Sequence, residues 1–205
     1  MKMIFFDTET TGITPGNICQ LSYITVDTGV KPTKTEGKNV FFAVEYVEPE
    51  AEEVHGFSAE DLYQLSNGKY FEDSYEEFVN DFLSADILIG HNVNFDIKFL
   101  CHELQYCDIN YSPKNIFCTM NYYKNICKLS NNRGGIKNPK LEEVIRFLGI
   151  ERSQIRDKAK ELFEGSGSYH DARFDTAATY LIVTEGIKKK YIPPRYFTNI
   201  VKNQQ

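Results

Sequence analysis

Apolar segments rich in β-branched and aromatic residues recur along the N-terminal two thirds of the chain, separated by turn residues. This pattern predicts β-strands. The predicted strands are Lys2–Asp7, Ile18–Thr25, Lys38–Val47, Ile87–Ile89 and Asn115–Thr119. The polar segment Val47–Phe57, which follows the third strand, predicts a loop. The N-terminal part therefore indicates a meander of strands.

Apolar residues at helical spacing predict helices between and after these strands. Ser58 is placed to cap the first one, because a serine hydroxyl accepts a hydrogen bond from the backbone of the first turn. The predicted helices are Ala59–Leu65, one that opens at Asp73 and Ser74, Phe95–Gln105, one that runs toward Cys127, Leu141–Leu148 and Asp171–Lys189. Gly149 is expected to stop the helix Leu141–Leu148. Strands first, and then strands alternating with helices, indicate an α/β fold in which a mixed sheet is covered by helices.

Charge is unevenly distributed along the 205 residues. The net charge is −6, yet residues 188–205 include five basic and no acidic side chains, which leaves −11 on residues 1–187. Because this length fits one domain, we predict an acidic domain over 1–187 and a basic C-terminal tail over 188–205. The acidic domain argues against nucleic-acid binding through a broad positive field. The tail is a candidate contact for backbone phosphate, and a solvated extension is the alternative.

Neither a membrane segment nor a disulfide framework is indicated. No apolar run reaches membrane-spanning length, and no signal peptide precedes the first strand. Five cysteines, an odd number without a Cys-x-x-Cys pair, argue against disulfides and zinc clusters. We therefore expect a cytoplasmic protein with reduced thiols and no membrane contact.

The apolar run Met3–Phe6 ends in two carboxylates, Asp7 and Glu9, and a Thr-Thr-Gly turn follows. Their i, i+2 spacing puts both on one face of a strand. When buried together they lose hydration and repel each other, unless a cation lies between them. Carboxylate oxygens without a nearby cysteine or histidine suit a hard ion, Mg²⁺ or Mn²⁺. The alternative is a strand that ends in polar residues at a turn.

Further candidates for the same chemistry lie on two later helices. Asp96 follows the turn Gly90–Phe95, and its apolar neighbours predict that it points inward. Asp175 lies near the start of the last helix, and His170 precedes it by five residues, after the flexible Gly-Ser link Glu164–Ser168. Taken singly, each is also compatible with an ordinary helix start. Together, four carboxylates can hold two divalent ions, and a histidine on a mobile link can act as general base for an attacking water.

Three motifs therefore occur in order: Phe-Asp-x-Glu-Thr-Thr-Gly at 6–12, Gly-His-Asn-x-x-Phe-Asp at 90–96 and His-x-x-x-x-Asp at 170–175. This order resembles the DEDD superfamily of 3′–5′ exonucleases, histidine subtype. Within that superfamily, it resembles the epsilon proofreading subunits of bacterial DNA polymerase III and their stand-alone relatives. The segment Pro-Glu-Ala-x-x-Val-His-Gly at 49–56 extends this likeness. The resemblance implies a ribonuclease H-like fold, with a five-stranded mixed sheet and helices on both faces.

The resemblance also implies a role for each candidate residue. Asp7 would bridge two Mg²⁺ or Mn²⁺ ions, Glu9 and Asp175 would complete the site of one, and Asp96 would hold the other. His170 would deprotonate the water that attacks the terminal phosphodiester, and nucleoside 5′-monophosphates would be released. Contacts with the substrate strand are implied for Thr10, Thr11, Glu50, His55, Asn92 and Phe95.

The implied function is a metal-dependent 3′–5′ exonuclease that acts on single-stranded or frayed 3′ ends, with DNA favoured as the substrate. A 3′–5′ exoribonuclease stays open, because nothing in the motifs separates acceptance from rejection of a 2′-hydroxyl. A non-catalytic interaction domain on the same fold is the alternative from another class. A DNA polymerase is a candidate partner, and the motifs do not separate proofreading, repair and degradation.

Overall fold

A computed structural model describes residues 1–163, 165, 167 and 170–202. The strands formed by these residues are β1 (Lys2–Thr10), β2 (Ile18–Asp27), β3 (Lys34–Phe41), β4 (Ile87–Gly90) and β5 (Ile116–Cys118). They form one sheet in the order β3-β2-β1-β4-β5. β2 pairs antiparallel with β1 and β3, whereas β4 runs parallel to β1 and β5. The predicted α/β fold with a mixed five-stranded sheet is confirmed.

Helices connect and flank the strands throughout the described ranges. They are α1 (Pro49–His55), α2 (Ala59–Leu65), α3 (Phe71–Ser74), α4 (Val79–Ser84), α5 (Asn94–Tyr106), α6 (Thr119–Cys127), α7 (Leu141–Leu148), α8 (Arg152–Leu162), α9 (Ala172–Lys188) and α10 (Tyr196–Lys202). A single 3₁₀ turn, Tyr75–Glu77, links α3 to α4.

Successive side chains of β1 pack into different apolar clusters on the two faces of the sheet. Phe5 belongs to the cluster built with α7, α8 and α9, whereas Ile4 and Phe6 belong to the cluster built with α4 and α5. Burying each of these large side chains contributes about 2 kcal/mol to stability. Helices therefore cover both faces of the sheet. The polar side chains further along β1 alternate between the face covered by α9 and the face covered by α5.

The prediction of a polar loop over Val47–Phe57 is wrong, because α1 occupies Pro49–His55. Proline suits the first helical position, since its missing N–H has no helical partner there and its φ is already helical. Gly56 ends the helix with φ +81°, a left-handed conformation that glycine adopts without strain. Seven residues in an acidic segment are too few to show helical periodicity, which is why the sequence pattern misses α1.

Most predicted boundaries lie within three residues of those in the structure, and two predicted elements differ more widely. β3 covers Lys34–Phe41 rather than Lys38–Val47, and Phe42–Val47 leaves the sheet as irregular chain with four of its residues buried. The helix expected from Asp73 and Ser74 is broken into α3, the 3₁₀ turn and α4. In both places apolar residues are buried as predicted, but packing rather than local periodicity decides the backbone conformation.

The predicted signals at two helix ends are confirmed. The Ser58 hydroxyl accepts the Asp61 N–H at 3.1 Å, and the Asp61 carboxylate accepts the Ser58 N–H at 3.0 Å, which forms a capping box. Gly149 ends α7 with φ +65°. No prediction covers α8, because Ile155 and Ala159 are the buried residues among its eleven and give a weak apolar pattern.

The basic C-terminal segment begins where α9 ends, at Lys188. Ile192 and Phe197 are buried in the same apolar cluster as Phe5. The first part of this segment therefore packs on the body of the protein. The division between a domain over 1–187 and a tail over 188–205 stays a prediction.

No helix within the described ranges combines the length and apolar character needed to cross a membrane. All five cysteines are free thiols, as their number and spacing predict. Burial raises the pKa of Cys19, the most buried of them, so this side chain stays a neutral thiol.

Candidate active site

Asp7 and Glu9 lie where β1 extends beyond its parallel neighbour. β4 pairs with β1 over Met3–Phe5, whereas the pairing of β1 with β2 continues to Thr10. The two carboxylates therefore lie past the carboxyl end of β4, in the crevice where open α/β sheets bind their ligands. By alternation both share the face of Phe5, which is covered by α9.

α9 brings a third carboxylate to this face. The Thr176 hydroxyl donates to the Ser22 carbonyl at 3.0 Å, and Ser22 pairs with Asp7 across β1 and β2. This contact holds the neighbouring residue, Asp175, beside β1. Asp7, Glu9 and Asp175 each offer a carboxylate oxygen, and these oxygens all lie within 4.8 Å of one another.

A buried polar clamp fixes the start of α9. Gln20 donates from Nε2 to Asp171 Oδ1 at 3.1 Å, and its Oε1 accepts the Ala172 N–H at 3.1 Å. Arg173 Nη2 donates to Asp171 Oδ2 at 2.6 Å. Because Gln20 pairs with Glu9 across the sheet, the clamp ties α9 to the strand of the carboxylates. Sequence reasoning does not single out this clamp, although a glutamine inside an apolar strand segment is a signal of buried polar contacts.

Asp96 reaches the same end of β1 from the other face of the sheet. Its Oδ1 accepts the Thr8 backbone N–H at 3.1 Å and the Thr8 hydroxyl at 2.9 Å. Thr8 lies between Asp7 and Glu9 and therefore faces α5, where Asp96 is located. Asp96 points inward and is 3% exposed. Thr8, which no sequence argument singles out, thus connects the two faces of the site.

The four carboxylates Asp7, Glu9, Asp96 and Asp175 are termed the acidic cluster. Burial, and then the Asp96 carboxylate, raise the pKa of Asp7 well above its usual range. Burial, and then the Asp175 carboxylate, do the same for Glu9. Burial raises the pKa of Asp96 and of Asp175 to about 7. At neutral pH the acidic cluster therefore needs a compensating cation to be fully ionised.

One oxygen of the acidic cluster also lacks a hydrogen bond. Asp175 Oδ1 is buried without a partner among the residues that the structure describes, whereas Oδ2 accepts the His170 backbone N–H at 3.2 Å. A buried carboxylate oxygen without a donor is destabilising. The oxygen ligands, their mutual repulsion and the unpaired Oδ1 all fit a hard divalent cation, held by Asp7, Glu9 and Asp175.

The raised pKa values predict that divalent cations stabilise the fold in a pH-dependent way. The favourable contribution of protonated Asp96 and Asp175 is fully present below their unfolded pKa, and it is lost as the pH rises through about 7. A bound cation offsets this loss, because it stabilises the ionised carboxylates. We therefore expect millimolar Mg²⁺, compared with EDTA, to raise the melting temperature more at about pH 8 than at about pH 5. Each kcal/mol by which the cation raises the free energy of unfolding should raise the melting temperature by about 2–4 °C.

Thermal unfolding followed by fluorescence checks this prediction. Groups outside the acidic cluster titrate equally with and without Mg²⁺, so the difference between the two melting temperatures isolates the cluster. An Asp7→Asn variant should show a small Mg²⁺ effect at both pH values. Equal Mg²⁺ shifts for the wild type at both pH values would contradict the assignment of the cation to this cluster.

His170 lies beside the acidic cluster, with an exposed residue surface and φ +62°. It lines a cavity of about 550 Å³ together with Asp7, Asn92 and Asp175. The link expected to make His170 mobile, Glu164–Ser168, lies mostly outside the described residues, so its flexibility stays a prediction. The cavity thus brings a histidine, two of the clustered carboxylates and one residue predicted to bind substrate to one place.

Thr10, the last residue of β1, and Thr11, the first residue of the turn that follows, are predicted to bind substrate. Thr10 is buried, and its hydroxyl donates to the Gly12 carbonyl at 2.8 Å. The Thr11 N–H donates to the Asn17 carbonyl at 3.0 Å. Both threonines stabilise the turn itself, and neither belongs to the described lining of the cavity.

The other three predicted substrate residues, Glu50, His55 and Phe95, also lie outside the described cavity lining. His55 is buried, its Nδ1 accepts the Phe57 N–H at 3.1 Å, and burial lowers its pKa. Glu50 is exposed in the first turn of α1, and Phe95 is half-buried. The structure therefore places Asn92 in the lining of the cavity and the other five predicted contacts outside that described lining.

The segment 138–142, which no motif marks, also lines the cavity and is termed the cavity wall. This segment follows a stretch rich in asparagine and glycine and leads into α7. His91 lies against it and belongs to the same lining.

A sequence model of the family described as Exonuclease matches residues 4–183. The chain belongs to this exonuclease family. The match includes His170 and the whole acidic cluster, and it confirms the family resemblance that the three motifs indicate. The mixed sheet with helices on both faces is the ribonuclease H-like arrangement that the resemblance implies.

Among curated proteins, this exonuclease-family chain is similar to subunits named DNA polymerase III subunit epsilon. Those of Rickettsia felis, Rickettsia conorii and Rickettsia prowazekii are each 36% identical to it over 110 residues. The aligned segment makes up 51% of this chain and 44% of each relative, so the match covers less than half of each relative's length. The predicted likeness to epsilon subunits is confirmed.

Proposed function

We propose that this chain is a metal-dependent 3′–5′ exonuclease that hydrolyses DNA from its 3′ end and releases nucleoside 5′-monophosphates. The observation that carries the proposal is a set of three carboxylate oxygens within 4.8 Å, with Asp175 Oδ1 unpaired and His170 beside it. Membership of the exonuclease family supports the proposal. Residues 1–187 would carry the activity, and the basic segment 188–205 is a candidate contact for backbone phosphate.

The acidic cluster suits two divalent cations, Mg²⁺ or Mn²⁺. Asp7, Glu9 and Asp175 would hold one, and Asp96 would hold the second beside Asp7. When bound, such ions polarise the phosphodiester and neutralise the charge that develops on the attacking and leaving oxygens. Thr8 orients Asp96 through its two hydrogen bonds, and the clamp of Gln20, Asp171 and Arg173 keeps the start of α9, and with it Asp175, in place.

His170 is the proposed general base. It would accept a proton from the attacking water at a neutral ring nitrogen. The water oxygen then bonds to phosphorus, the P–O3′ bond breaks, and the 3′ oxygen of the shortened strand takes up a proton. The backbone N–H of His170 is held by Asp175 Oδ2, so the side chain is kept beside the cluster even though the residue is exposed.

Asn92 is the best placed of the predicted substrate contacts, because it lines the cavity with Asp7 and His170. Contacts from the other five require a strand that extends past the cavity along α1, α5 and the turn after β1. These five proposed contacts are Thr10, Thr11, Glu50, His55 and Phe95.

DNA as the substrate, a DNA polymerase as the partner and a cytoplasmic location belong to the same proposal. They are supported by the likeness to proteins named DNA polymerase III subunit epsilon, which extends over 51% of this chain. Replication and repair are the processes in which such a polymerase-associated exonuclease would act.

The deciding experiment is a gel assay on 5′-labelled single-stranded DNA and on RNA of matched sequence, with Mg²⁺, Mn²⁺ or EDTA. We expect a ladder that shortens from the 3′ end of DNA with either metal and disappears in EDTA. A faster ladder on RNA would replace the proposal with an exoribonuclease. No shortening of either strand with either metal would reject catalysis in favour of a non-catalytic interaction domain.

Replacing Thr8 with valine should lower turnover about 10- to 100-fold, the usual effect of losing a residue that orients a metal ligand. Valine keeps the shape and strand preference of threonine but removes the hydroxyl that donates to Asp96 Oδ1. The metal concentration that gives half-maximal rate should rise as well. Thr25→Val on β2 is the matched control, since its hydroxyl contacts the Glu36 carbonyl at 3.4 Å, far from the cluster. Equal rates for the two variants would contradict the role of the Thr8 hydroxyl.

A further inference from the structure

The cavity wall, residues 138–142, is anchored to the sheet by a histidine. His91 Nε2 lies 3.0 Å from the Pro139 carbonyl oxygen, and Nδ1 lies 3.0 Å from the Thr119 hydroxyl. A carbonyl accepts hydrogen bonds, so Nε2 carries the proton. His91 directly follows β4, and Thr119 begins α6 directly after β5. The wall is therefore tied to the carboxyl ends of the same parallel strands that frame the site.

A second set of contacts fixes the backbone on both sides of Pro139. The Lys140 N–H donates to the Glu143 carboxylate at 2.7 Å, and Lys137 Nζ contacts the other oxygen of Glu143 at 2.5 Å. The Lys137 N–H also donates to the Leu129 carbonyl at 2.8 Å. Each end of the wall is therefore held by hydrogen bonds that do not use the side chain of Lys140.

Lys140 is the one lysine or arginine among the described residues that line the cavity. It is exposed, and its ammonium group has no ion-pair partner within the described part of the chain. The neighbouring carboxylate Glu143 is already occupied by Lys137. A cation without an ion-pair partner among the described residues thus lines the same cavity as the site that is proposed to accept a nucleic-acid strand.

The charges of the other lining residues make this position unusual. Asp7, Asp175 and Glu142 are acidic, and residues 1–187 carry a net charge of −11. Phosphate groups outside the metal site are repelled by such a surface unless a basic side chain receives them. Glu142, in the first turn of α7, also disfavours an anion at that helix start. On the cavity wall, the side chains left to receive a phosphate are those of Lys140 and Asn138.

We propose that Lys140, assisted by the Asn138 amide, binds a phosphate of the substrate strand adjacent to the scissile one. This inference rests on the proposed nucleolytic function and adds a phosphate subsite to it. Lys140 positions the strand and takes no part in the proton transfers, because phosphate contacts fix register without reading sequence. Its loss therefore weakens strand binding and raises KM, while kcat for a saturating strand stays within about twofold.

The binding test uses single-stranded DNA with a 5′ fluorophore and Mg²⁺, in an Asp7→Asn background that leaves the strand uncut. The variants are Lys140→Gln, Lys140→Arg and Lys34→Gln. Lys34 is the matched control, because it is an exposed lysine far from the acidic cluster. It pairs with Asp27 of β2, which pairs in turn with Lys2, at the end of β1 that is remote from Glu9. We expect Lys140→Gln to weaken binding about two- to fivefold. It should also reduce the magnitude of the slope of log affinity against log salt by about 0.7. Lys140→Arg and Lys34→Gln should leave the slope unchanged.

A methylphosphonate scan locates the phosphate. Strands in which one linkage at a time is uncharged are bound to the background protein and to its Lys140→Gln derivative. We expect one linkage near the 3′ end to weaken binding to the background protein and to have no further effect on the derivative. The inference would be overturned if Lys140→Gln and Lys34→Gln gave the same salt slope, the same methylphosphonate scan and the same KM. The two proposals fail separately. If the wild type does not shorten strands from the 3′ end, the proposed nuclease function is rejected. If the wild type does shorten them but Lys140→Gln changes neither binding nor KM, only the phosphate subsite is rejected.

Discussion

Replacing Asp7 with asparagine should abolish metal-dependent hydrolysis, with a loss of about 10³-fold or more in turnover. Asp7 is the central member of the acidic cluster: its pKa is raised by burial and then by Asp96, Asp175 and Glu9. In the proposed mechanism Asp7 would be a ligand of both cations. Losing it removes several kcal/mol of charge stabilisation in the transition state, and each 1.4 kcal/mol corresponds to about tenfold in rate. Single-turnover hydrolysis of labelled single-stranded DNA with Mg²⁺ measures the loss.

The same substitution should leave the fold intact and stabilise it in EDTA. Asparagine has nearly the shape of aspartate but no charge, so it removes a source of repulsion from Glu9 and Asp175. Asp27→Asn is the matched control, because Asp27 lies at the other end of the β1–β2 pair and is partly exposed. Full Mg²⁺-dependent activity in Asp7→Asn would reject the metal-site assignment. A cooperative thermal transition no lower than that of the wild type would show that lost activity does not reflect unfolding.

Replacing His170 with alanine should lower turnover by about 10²- to 10⁴-fold, the range expected for a general base. The contact of this residue with Asp175 Oδ2 comes from its backbone N–H, so alanine preserves that hydrogen bond and removes only the imidazole. The substitution therefore tests proton transfer separately from the position of Asp175. Metal affinity, measured from the rate against Mg²⁺ concentration, should change little.

Chemical rescue distinguishes a base from a structural residue. Added imidazole should restore part of the turnover of His170→Ala, because a free ring can accept the proton of the attacking water, and it should leave the wild-type turnover unchanged. His102→Ala is the control, since His102 lies on α5 with its ring against Tyr106, 4.9 Å between ring centroids. A loss below about tenfold in His170→Ala would mean that another group activates the water.

Local spacing explains why much of the site is visible in the sequence. The i, i+2 separation of Asp7 and Glu9 places both on one face of β1 in any strand. Alternation also sends Thr8 to the opposite face, although its contact with Asp96 depends on the docking of α5, some 88 residues later. The sequence predicts that carboxylates recur on separate elements. It does not predict which hydrogen bond orients each of them.

Helix ends were predictable where a single residue type specifies the geometry. The capping box of Ser58 and the left-handed Gly149 depend on a few neighbouring residues, and both are confirmed. α1 and α8 were not predictable in this way. α1 is short and acidic, and α8 has few buried residues, so their apolar periodicity is too weak to indicate a helix.

The sequence by itself determined the order of the motifs, the strand that carries Asp7 and Glu9, and the family to which the chain belongs. The tertiary structure alone decided how Gln20 holds Asp171 across 151 positions of sequence, and how His91 holds the wall that presents Lys140. The physical reason is the range of the interactions. Side-chain alternation and helix capping act between near neighbours, whereas the clamp and the cavity wall exist only after distant segments have packed on the same sheet.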